Sequence, residues 1–508
     1  MRHFIADEVP LLHMTVSLIV GIVAGFMLKV SITLMPLFVG MVVLAFCLRR
    51  HVVAQTLALM ACMVLLGMML AGRQWQLSHA YRYDEKLRVL RGVVASEPVE
   101  KPRSVAVDVL LTSNGRLLRC YVEKNGRSRR LKPGDGLRLM TRVRACTGAA
   151  YYQRYMEQHG YTGQCYVGDR QWELERPRLK RLSLLSRSRL AFLRHRHKLL
   201  ERYRLQGAQG DSYAVLAAMT LGDKSALSKE LRDTYSVTGA SHILALSGLH
   251  LGILYTLLLW LTFGHRHRRI VSQALLVTGI WGFALLVGLP TSVVRSATMI
   301  SLFAIFSIGH RPNMSFNLLC LAAIIILLQN PYALYDVGFQ LSFMAVLSIL
   351  MMMRMGENGN MESKGVVRRV GKALLSCIVV SAAAQIGTAP LVAYYFGRFP
   401  TYFLLTNLVV LPAAYLILCG AAFMLAVPAA APLVIGIVKG LNAVLELLSR
   451  LPLASIEGLH PSLWQVLLFY ILVASLYGAL LVWKGRWPRE KQPCLDEPTE
   501  YPSSVAHH

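Results

Sequence analysis

The feature that most constrains this chain is a series of twelve long apolar runs, separated by short charged loops. They cover residues 11–28, 31–48, 52–71, 240–262, 270–288, 292–309, 315–329, 338–353, 371–391, 402–426, 430–449 and 463–483. An α-helix needs about 20 apolar residues to cross a bilayer, and the mean hydropathy of the chain is +0.47. We therefore predict a polytopic α-helical membrane protein with about 12 crossings.

The charges between these runs predict an orientation. Lys and Arg concentrate in alternate loops and in the C-terminal tail, at 49–51, 264–269, 309–313, 354–370 and after 483. Cytoplasmic loops are enriched in Lys and Arg, so both termini are predicted in the cytoplasm and the chain in the cell inner membrane. Three predicted crossings precede residues 73–175, so a cytoplasmic N-terminus places these residues outside the cytoplasm.

Residues 73–175 have the pattern of a β-domain. Short alternating runs are separated by turn sequences such as Asn114-Gly115, and they lie at Val89–Ala95, Val105–Leu111, Leu117–Val122 and Leu137–Val143. This spacing predicts an inserted extracytoplasmic OB-like β-barrel domain. Cys120, Cys146 and Cys165 lie in the same stretch, and one disulfide could form among them.

The β-domain is also strongly basic, with fifteen basic and five acidic residues between Lys86 and Gly148. This excess of basic residues is suited to binding a polyanion or lipid headgroups. Residues 176–204 add eleven basic residues and one acidic residue, Glu201, with apolar residues at helical spacing. We predict a basic amphipathic interfacial helix at 176–209. Because Arg189 and Arg196 interrupt its apolar face, the helix either lies shallow in the membrane surface or packs on protein.

The stretch Thr238–Ile253 opens an apolar run but is rich in polar and small residues. On one continuous helix, Ser241, Ala245, Gly248 and Gly252 form a seam for helix packing, together with the preceding Gly239. His242, Ser247 and His250 lie on the opposite side of that helix. This pattern has two interpretations, a polar path through the membrane or histidines hydrogen-bonded to neighbouring helices.

Further polar residues interrupt the later runs, and they are Arg295, Asp336, Gln340, Gln385 and Asn407. Charged groups are costly inside a bilayer, so those that occur there are functional candidates. Pro390 and Pro412 are predicted to break their helices beside a polar cavity. The alternative is that these side chains form hydrogen bonds between helices.

The sequence predicts no enzyme, no cofactor and no metal site. Ser247 and His250 could pair as nucleophile and base, but a three-residue spacing on a helix arises easily by chance, and no G-x-S-x-G turn is present. The cysteines show no metal-binding spacing.

Several ordered blocks resemble one family. They are Leu216–Lys224, Gly239–His250, Pro290–Met299, Asn330–Phe343, Gln385–Pro390 with Tyr394–Gly397, and Asn407 with Pro412. Together they closely resemble the ComEC family of competence proteins, the inner-membrane DNA-uptake channels of natural transformation. Many members also carry a C-terminal metallo-β-lactamase-like domain. Only about 25 residues follow the last apolar run here, so the chain resembles the form without that domain.

The resemblance implies a channel for single-stranded DNA. The residues expected to line or gate its path are Asp223, His242, Ser247, His250, Arg295, Asp336, Gln340, Gln385 and Asn407. DNA contacts in the OB-like domain are expected from Arg127, Arg129, Arg130, Lys132, Tyr121 and Tyr152. The expected partners are single-stranded DNA, membrane lipids, and a separate DNA receptor, nuclease and cytoplasmic motor. A membrane-embedded nuclease or hydrolase and a small-solute transporter remain alternative functions.

The predicted domain organisation has five parts. They are N-terminal transmembrane helices at 1–72, the OB-like domain at 73–175, the interfacial helix at 176–209, the competence-type channel domain at 210–483 and a cytoplasmic tail at 484–508.

Overall fold

The computed structural model describes residues 10–29, 34–79, 86–146, 150–177, 179–261, 269–308, 315–356 and 366–483. The predicted loop 309–313 and tail 484–508 lie outside these residues, as do parts of the loops 264–269 and 354–370. The helices are α1 (Pro10–Leu28), α2 (Met35–Cys47), α3 (Val52–His79), α4 (Ala150–Gln158), α5 (Leu184–Leu205), α6 (Gly210–Leu221), α7 (Lys229–Val237), α8 (Ser241–Leu244), α9 (Gly248–Leu261), α10 (Arg269–Leu286), α11 (Thr291–Ile308), α12 (Ser315–Gln329), α13 (Val337–Gly356), α14 (Val366–Phe396), α15 (Phe403–Ala426), α16 (Ala431–Ser449) and α17 (Leu463–Trp483).

Among the described residues, seven helical segments are long and apolar enough to cross a membrane. They are Pro10–Leu28, Val52–Leu77, Val337–Met355, Leu374–Phe396, Phe403–Ala426, Pro428–Ser449 and Leu463–Trp483. The other five predicted crossings coincide with α2, α9, α10, α11 and α12, which have 13 to 18 residues. The chain is therefore a mostly helical polytopic membrane protein, and the count of about 12 crossings stays a prediction.

The N-terminal helices α1 and α3 pack at very close range through glycines outside the predicted packing seam. A Cβ atom on Gly21 would lie 2.1 Å from the Val64 carbonyl oxygen, and one on Gly67 would lie 2.6 Å from the Leu18 carbonyl oxygen. Gly21 and Gly25 have the small-x-x-x-small spacing that lets helix backbones approach in membranes.

Within its described residues, the β-domain contains eight strands: β1 (Arg88–Val94), β2 (Val99–Glu100), β3 (Ser104–Leu111), β4 (Leu117–Glu123), β5 (Gly136–Thr141), β6 (Val143–Arg144), β7 (Tyr161–Val167) and β8 (Trp172–Glu175). Their order is β6-β7-β4-β3-β1-β5-β8, and β2 also pairs with β3. The β4–β7 pair is parallel and the others are antiparallel. The described pairs form an open path, so the predicted barrel is not established. A short hairpin, β9 (Arg398–Pro400) with β10 (Ser455–Glu457), lies between the later helices.

Helix α6 is at the centre of the largest hydrophobic core. All ten residues from Ser212 to Leu221 are buried, and they pack with α5, α8, α15 and α16. A helix that is apolar on all sides is stable only when protein or lipid surrounds it. Other helices of the protein surround α6. This packing fixes the position of the loop that follows α6 and contains Asp223.

The predicted helix breaks at Pro390 and Pro412 are wrong. Helix α14 continues through Pro390 and α15 continues through Pro412. Neighbouring helices can re-satisfy the backbone carbonyl that a proline leaves free, so proline is tolerated inside membrane helices. The helical path is instead interrupted at 245–247, 287–290 and 330–336, where a short 3₁₀ helix (Pro331–Tyr335) precedes α13.

Candidate functional site

The stretch Thr238–Ile253 is not one helix, so the single helix predicted for it is wrong. A four-residue helix, α8, ends at Leu244; Ala245 is extended (φ −102°, ψ 129°), and α9 begins only at Gly248. Residues on either side of this break no longer share a common helical face. The predicted seam and the opposite polar face therefore do not exist as continuous surfaces.

Ser247 and His250 form a cap at the start of α9. The Ser247 backbone N–H donates to His250 Nδ1 (3.3 Å), and Ser247 Oγ lies 3.0 Å from the same nitrogen. This resembles a capping box in which histidine replaces the usual glutamate. Since Nδ1 accepts a backbone N–H, the proton of a neutral ring is on Nε2, which is buried without a hydrogen-bond partner among the described residues. In the part of the chain that the structure describes, no third group orients the ring as in a catalytic triad.

The three predicted packing glycines have different surroundings. Gly239 has φ +80°, and a Cβ there would lie 2.9 Å from the Pro400 ring, so it serves a tight turn against β9. A Cβ on Gly248 would lie 3.3 Å from Ser296 Oγ on α11, whereas one on Gly252 would have no neighbour within 4 Å. Among the described residues no close helix contact is seen at Gly252, and its packing role stays a prediction. His242 is exposed, and its Nδ1–H donates to the Gly239 carbonyl (3.0 Å).

Arg295 and Asp336 meet although 41 residues separate them in sequence. Arg295 Nη1 lies 3.2 Å from Asp336 Oδ1. The same carboxylate oxygen accepts the Phe339 backbone N–H (2.8 Å) and so caps α13. A Cβ on Gly338 would lie 2.9 Å from both Arg295 Nη2 and Asp336 Oδ1. Glycine at this position therefore allows the pair to form.

This ion pair lines a cavity of about 190 Å³ between the β-domain and the helices. Gln158 and His159, at the end of α4, contribute the β-domain side. The helical side contains Leu289, Thr291, Val294, Arg295, Ile326, Gln329, Asn330, Tyr332, Ala333 and Asp336. The cavity thus combines an apolar wall with amide groups and one buried cation.

Gln340 joins α13 to α14 close to this cavity. Its Nε2 donates to the Leu334 carbonyl (2.9 Å), and its Oε1 accepts the Tyr395 hydroxyl hydrogen (2.9 Å). Gln385 and Asn407 are half-buried on α14 and α15. Neither lines the cavity, so the structure gathers only part of the predicted set in one place.

Asp223 forms a second buried pair, with Arg196 of α5. Arg196 Nη2 lies 3.9 Å from Asp223 Oδ1, and Arg196 Nη1 donates to the Val287 carbonyl (3.0 Å) at the end of α10. Asp223 also accepts hydrogen bonds from the Ser225 backbone N–H and hydroxyl. The pair therefore links α5, the loop after α6 and the end of α10.

Helix α5 also joins the β-domain to the helical domain. Leu190, Leu193, Leu200 and Tyr203 are buried, so α5 packs on protein, one of the two arrangements that its sequence left open. Three polar contacts reach the β-domain: Arg194 to the Gly134 carbonyl (2.9 Å), Lys132 to Glu201 (2.9 Å) and His197 to Glu97 (2.9 Å).

The His197–Glu97 contact predicts a pH-dependent junction. The hydrogen bond that His197 donates to the Glu97 carboxylate raises the pKa of His197 above 6.5, although burial lowers it. The negative charges of Glu97 and Glu201 raise this pKa further, and the positive charge of Lys132 lowers it. A raised pKa means that the contact stabilises the fold fully below pH 6.5 and is lost as the pH rises through the folded-state pKa. We expect His197→Gln to lose stability relative to wild type at pH 5.5 to 6.5, and the difference to shrink at higher pH.

Thermal unfolding of the purified protein across this pH range measures the effect. The exposed His195 lies two residues away on the same helix, so His195→Gln is the matched control and should show no such difference. Equal pH profiles for wild type and His197→Gln would contradict the assignment.

The predicted DNA-binding cations of the β-domain have mixed surroundings. Arg127 stacks over the Trp172 ring (4.8 Å), and Arg130 is exposed. Arg129 is 3.8 Å from Glu100, and Lys132 is bound to Glu201 as described above. Two of the four charges are thus partly neutralised by carboxylates in this structure.

The predicted aromatic contacts lie together. Tyr121 stacks on the exposed Tyr166 (ring centroids 5.0 Å apart), and its hydroxyl is 3.1 Å from that of Tyr152. Lys101 lies over the Tyr121 ring at 4.7 Å. The exposed member of this cluster is Tyr166, which is not among the predicted DNA contacts.

Of the three cysteines, Cys120 and Cys165 lie opposite each other on β4 and β7, with their sulfur atoms 2.9 Å apart. Both are buried free thiols, and Cys146 is half-buried. A disulfide in this domain stays a prediction, now restricted by geometry to the first two. Within the described ranges, no cluster of three or more His, Cys, Asp or Glu side chains could hold a metal ion.

Comparison with known proteins identifies the family. The family model described as "Competence protein" matches residues 219–484, slightly more than half of the chain. ComE operon protein 3 of Bacillus subtilis (strain 168) is 31% identical over 202 residues, which are 40% of this chain and 25% of the relative. An uncharacterized protein of Aquifex aeolicus (strain VF5) is 30% identical over 210 residues, 41% of this chain and 46% of the relative.

The chain thus spans less than half of the length of either relative. No solved structure matches it. The matched range contains α7 to α17 and both residues of the Arg295–Asp336 pair. The chain belongs to the competence protein family.

Proposed function

We propose that this chain carries a single strand of DNA across the cell inner membrane during natural transformation. The observation that carries the proposal is the cavity lined by Arg295 and Asp336 between the basic β-domain and the helices, in a chain of the competence protein family. A polyanion cannot cross hydrocarbon unaided, so its path needs polar and cationic groups. Arg295 and Asp336 would supply them where the β-domain meets the helices.

The proposed topology keeps the features that the loop charges predict. Both termini lie in the cytoplasm, the β-domain lies outside, and the five shorter helices complete twelve crossings with the seven longer segments. The order of strand pairs supports an OB-like domain, because β1 pairs with both β3 and β5 and β4 runs parallel to β7. Strand β6 follows β5 after one residue and pairs with β7, which would close the barrel.

In this proposal the chain is a channel and not an enzyme, and no catalytic residue is assigned. A separate receptor, nuclease and cytoplasmic motor would deliver the strand, degrade its complement and drive its movement. Metal-dependent degradation of DNA by the purified chain would instead favour the nuclease alternative.

The β-domain should bind single-stranded DNA through its exposed cations. We expect the combined change of Arg127, Arg129, Arg130 and Lys132 to Gln to weaken oligonucleotide binding and flatten its salt dependence. Each lost phosphate contact lowers the slope of log affinity against log salt by about 0.7 for single strands. Because Arg129 and Lys132 are already paired with carboxylates, Arg127 and Arg130 should account for most of the change.

Fluorescence anisotropy of a labelled oligonucleotide, titrated at several salt concentrations, measures this slope. The matched control replaces Arg127, Arg129 and Arg130 with Lys, which keeps the charge and should keep the slope. An unchanged affinity and slope in the Gln variant would contradict DNA binding at this surface.

Deletion with complementation tests the function itself. In the native host, loss of the gene should leave surface binding of labelled donor DNA intact and abolish its arrival in the cytoplasm, and the intact gene should restore arrival. Normal cytoplasmic arrival in the deletion strain would refute the proposal and favour a small-solute transporter.

A further inference from the structure

The cavity between the β-domain and the helices has the size and lining of a site for one nucleotide unit. Its volume is about 190 Å³, below the ~300–1,000 Å³ typical of pockets for drug-sized ligands. A stack of bases therefore does not fit, whereas one phosphate group with part of its nucleoside does. Leu289, Ile326 and Tyr332 offer an apolar wall, and Gln329 and Asn330 offer amides.

The cation in this cavity has unused hydrogen-bonding capacity. Arg295 is more than nine-tenths buried, and its Nε has no hydrogen-bond partner among the described residues. A guanidinium has five N–H donors arranged to hold oxyanions, but the contact to Asp336 uses only Nη1. A buried, underused guanidinium on the wall of a cavity is suited to accept a second oxyanion.

Asp336 keeps a partner if Arg295 turns away from it. Its Oδ1 accepts the Phe339 backbone N–H at the start of α13, and helix N-termini stabilise carboxylates. Breaking the ion pair therefore leaves the carboxylate hydrogen-bonded. The ion pair is therefore suited to a role in which Arg295 leaves Asp336 for another anion and later returns.

We propose that this cavity binds one phosphodiester unit of a passing single strand, and that Arg295 exchanges its contact with Asp336 for the phosphate. The apolar wall then contacts the base or sugar without reading its identity. This inference rests on the proposed function and adds a defined subsite to it. Asp336 acts as the competing anion that holds Arg295 when no strand is present and promotes release of each phosphate.

Binding of a labelled oligo(dT) to the full-length protein in nanodiscs, measured by anisotropy at several salt concentrations, tests the exchange. We expect Arg295→Gln to weaken binding about tenfold, as for loss of one charged hydrogen-bonded contact, and to lower the salt slope by about 0.7. Asp336→Asn removes the competing anion and should instead tighten binding severalfold. Arg398→Gln is the matched control, because Arg398 also pairs with carboxylates, on Asp233 and Glu457, but lies outside the cavity.

A purely structural ion pair gives a different result. Both Arg295→Gln and Asp336→Asn would then weaken binding, or leave it unchanged, in parallel with any loss of thermal stability, and the salt slope would stay at the wild-type value. That outcome would overturn the inference while wild-type binding and uptake still support the proposed function. If Arg295→Gln does not fold, the direction of the Asp336→Asn effect decides, since only exchange predicts tighter binding.

Discussion

Gly387→Val is expected to separate α13 from α14 and to lower the free energy of unfolding by about 3 kcal/mol, the upper end of the usual range for overpacked cores. A Cβ on Gly387 would lie 2.2 Å from Ser348 Oγ and 2.6 Å from the Met344 carbonyl oxygen. Ser348 could rotate, but the carbonyl belongs to the α13 backbone and cannot. The two helices must therefore move apart.

This separation should also break the hydrogen bond from Tyr395 to Gln340, which joins the same two helices beside the cavity. We expect lower thermal stability in detergent and little arrival of donor DNA in the cytoplasm. Gly371→Ala on α14 is the matched control, because a Cβ there has no neighbour within 4 Å among the residues that the structure describes. A Gly387→Val protein that unfolds at the wild-type temperature would show that α13 and α14 are not packed in this way.

Asp223→Asn is expected to lower the free energy of unfolding by about 3 to 5 kcal/mol, the usual loss when a buried charge is left without its partner. The side chains of Arg196 and Asp223 are 9% and 6% exposed, respectively. Removing the carboxylate charge leaves the Arg196 guanidinium buried without a charged partner among the described residues, and its Nη1 still donates to the Val287 carbonyl. Arg196→Met should lower the free energy of unfolding by less than Asp223→Asn does, because Asp223 keeps its two hydrogen bonds from Ser225.

A double-mutant cycle measures the coupling between these two residues. The Arg196→Met/Asp223→Asn protein should be more stable than the sum of the single changes predicts, because no uncompensated charge remains. Glu446→Gln is the control, since the Glu446–Arg450 pair is exposed and should contribute less than about 1 kcal/mol. Additive effects, or an Asp223→Asn cost no larger than that of Glu446→Gln, would contradict the buried pairing.

The sequence predicted the elements of this fold better than the contacts between them. Eleven of the twelve apolar runs coincide with one helix each, the run at 240–262 is divided between α8 and α9, and the four predicted β-runs coincide with β1, β3, β4 and β5. These predictions succeed because they depend on local periodicity and turn residues. The contacts Arg196–Asp223 and Arg295–Asp336 could not be predicted, since a buried charge shows in the sequence that it needs a partner but not which partner it has.

The break within Thr238–Ile253 shows why helical periodicity alone can mislead. On an ideal helix its small residues would lie on one face and its polar residues on the other, and no proline marks the interruption. The available signal was Ser247-Gly-Leu-His250, a Ser followed three residues later by a side chain that can accept the Ser247 N–H. Conversely, Pro390 and Pro412 carried the usual signal of a break, but surrounding helices allow α14 and α15 to continue.

The most direct measurement places a photo-cross-linking residue in the cavity during DNA uptake. Ala333 lines the cavity, whereas Phe303 on α11 is exposed on the outside of the helices. In cells taking up labelled donor DNA, we expect Ala333→p-benzoylphenylalanine to cross-link to the incoming strand and Phe303→p-benzoylphenylalanine not to. DNA that reaches the cytoplasm at the wild-type rate without a cross-link at position 333, or with equal cross-linking at both positions, would contradict a path through this cavity.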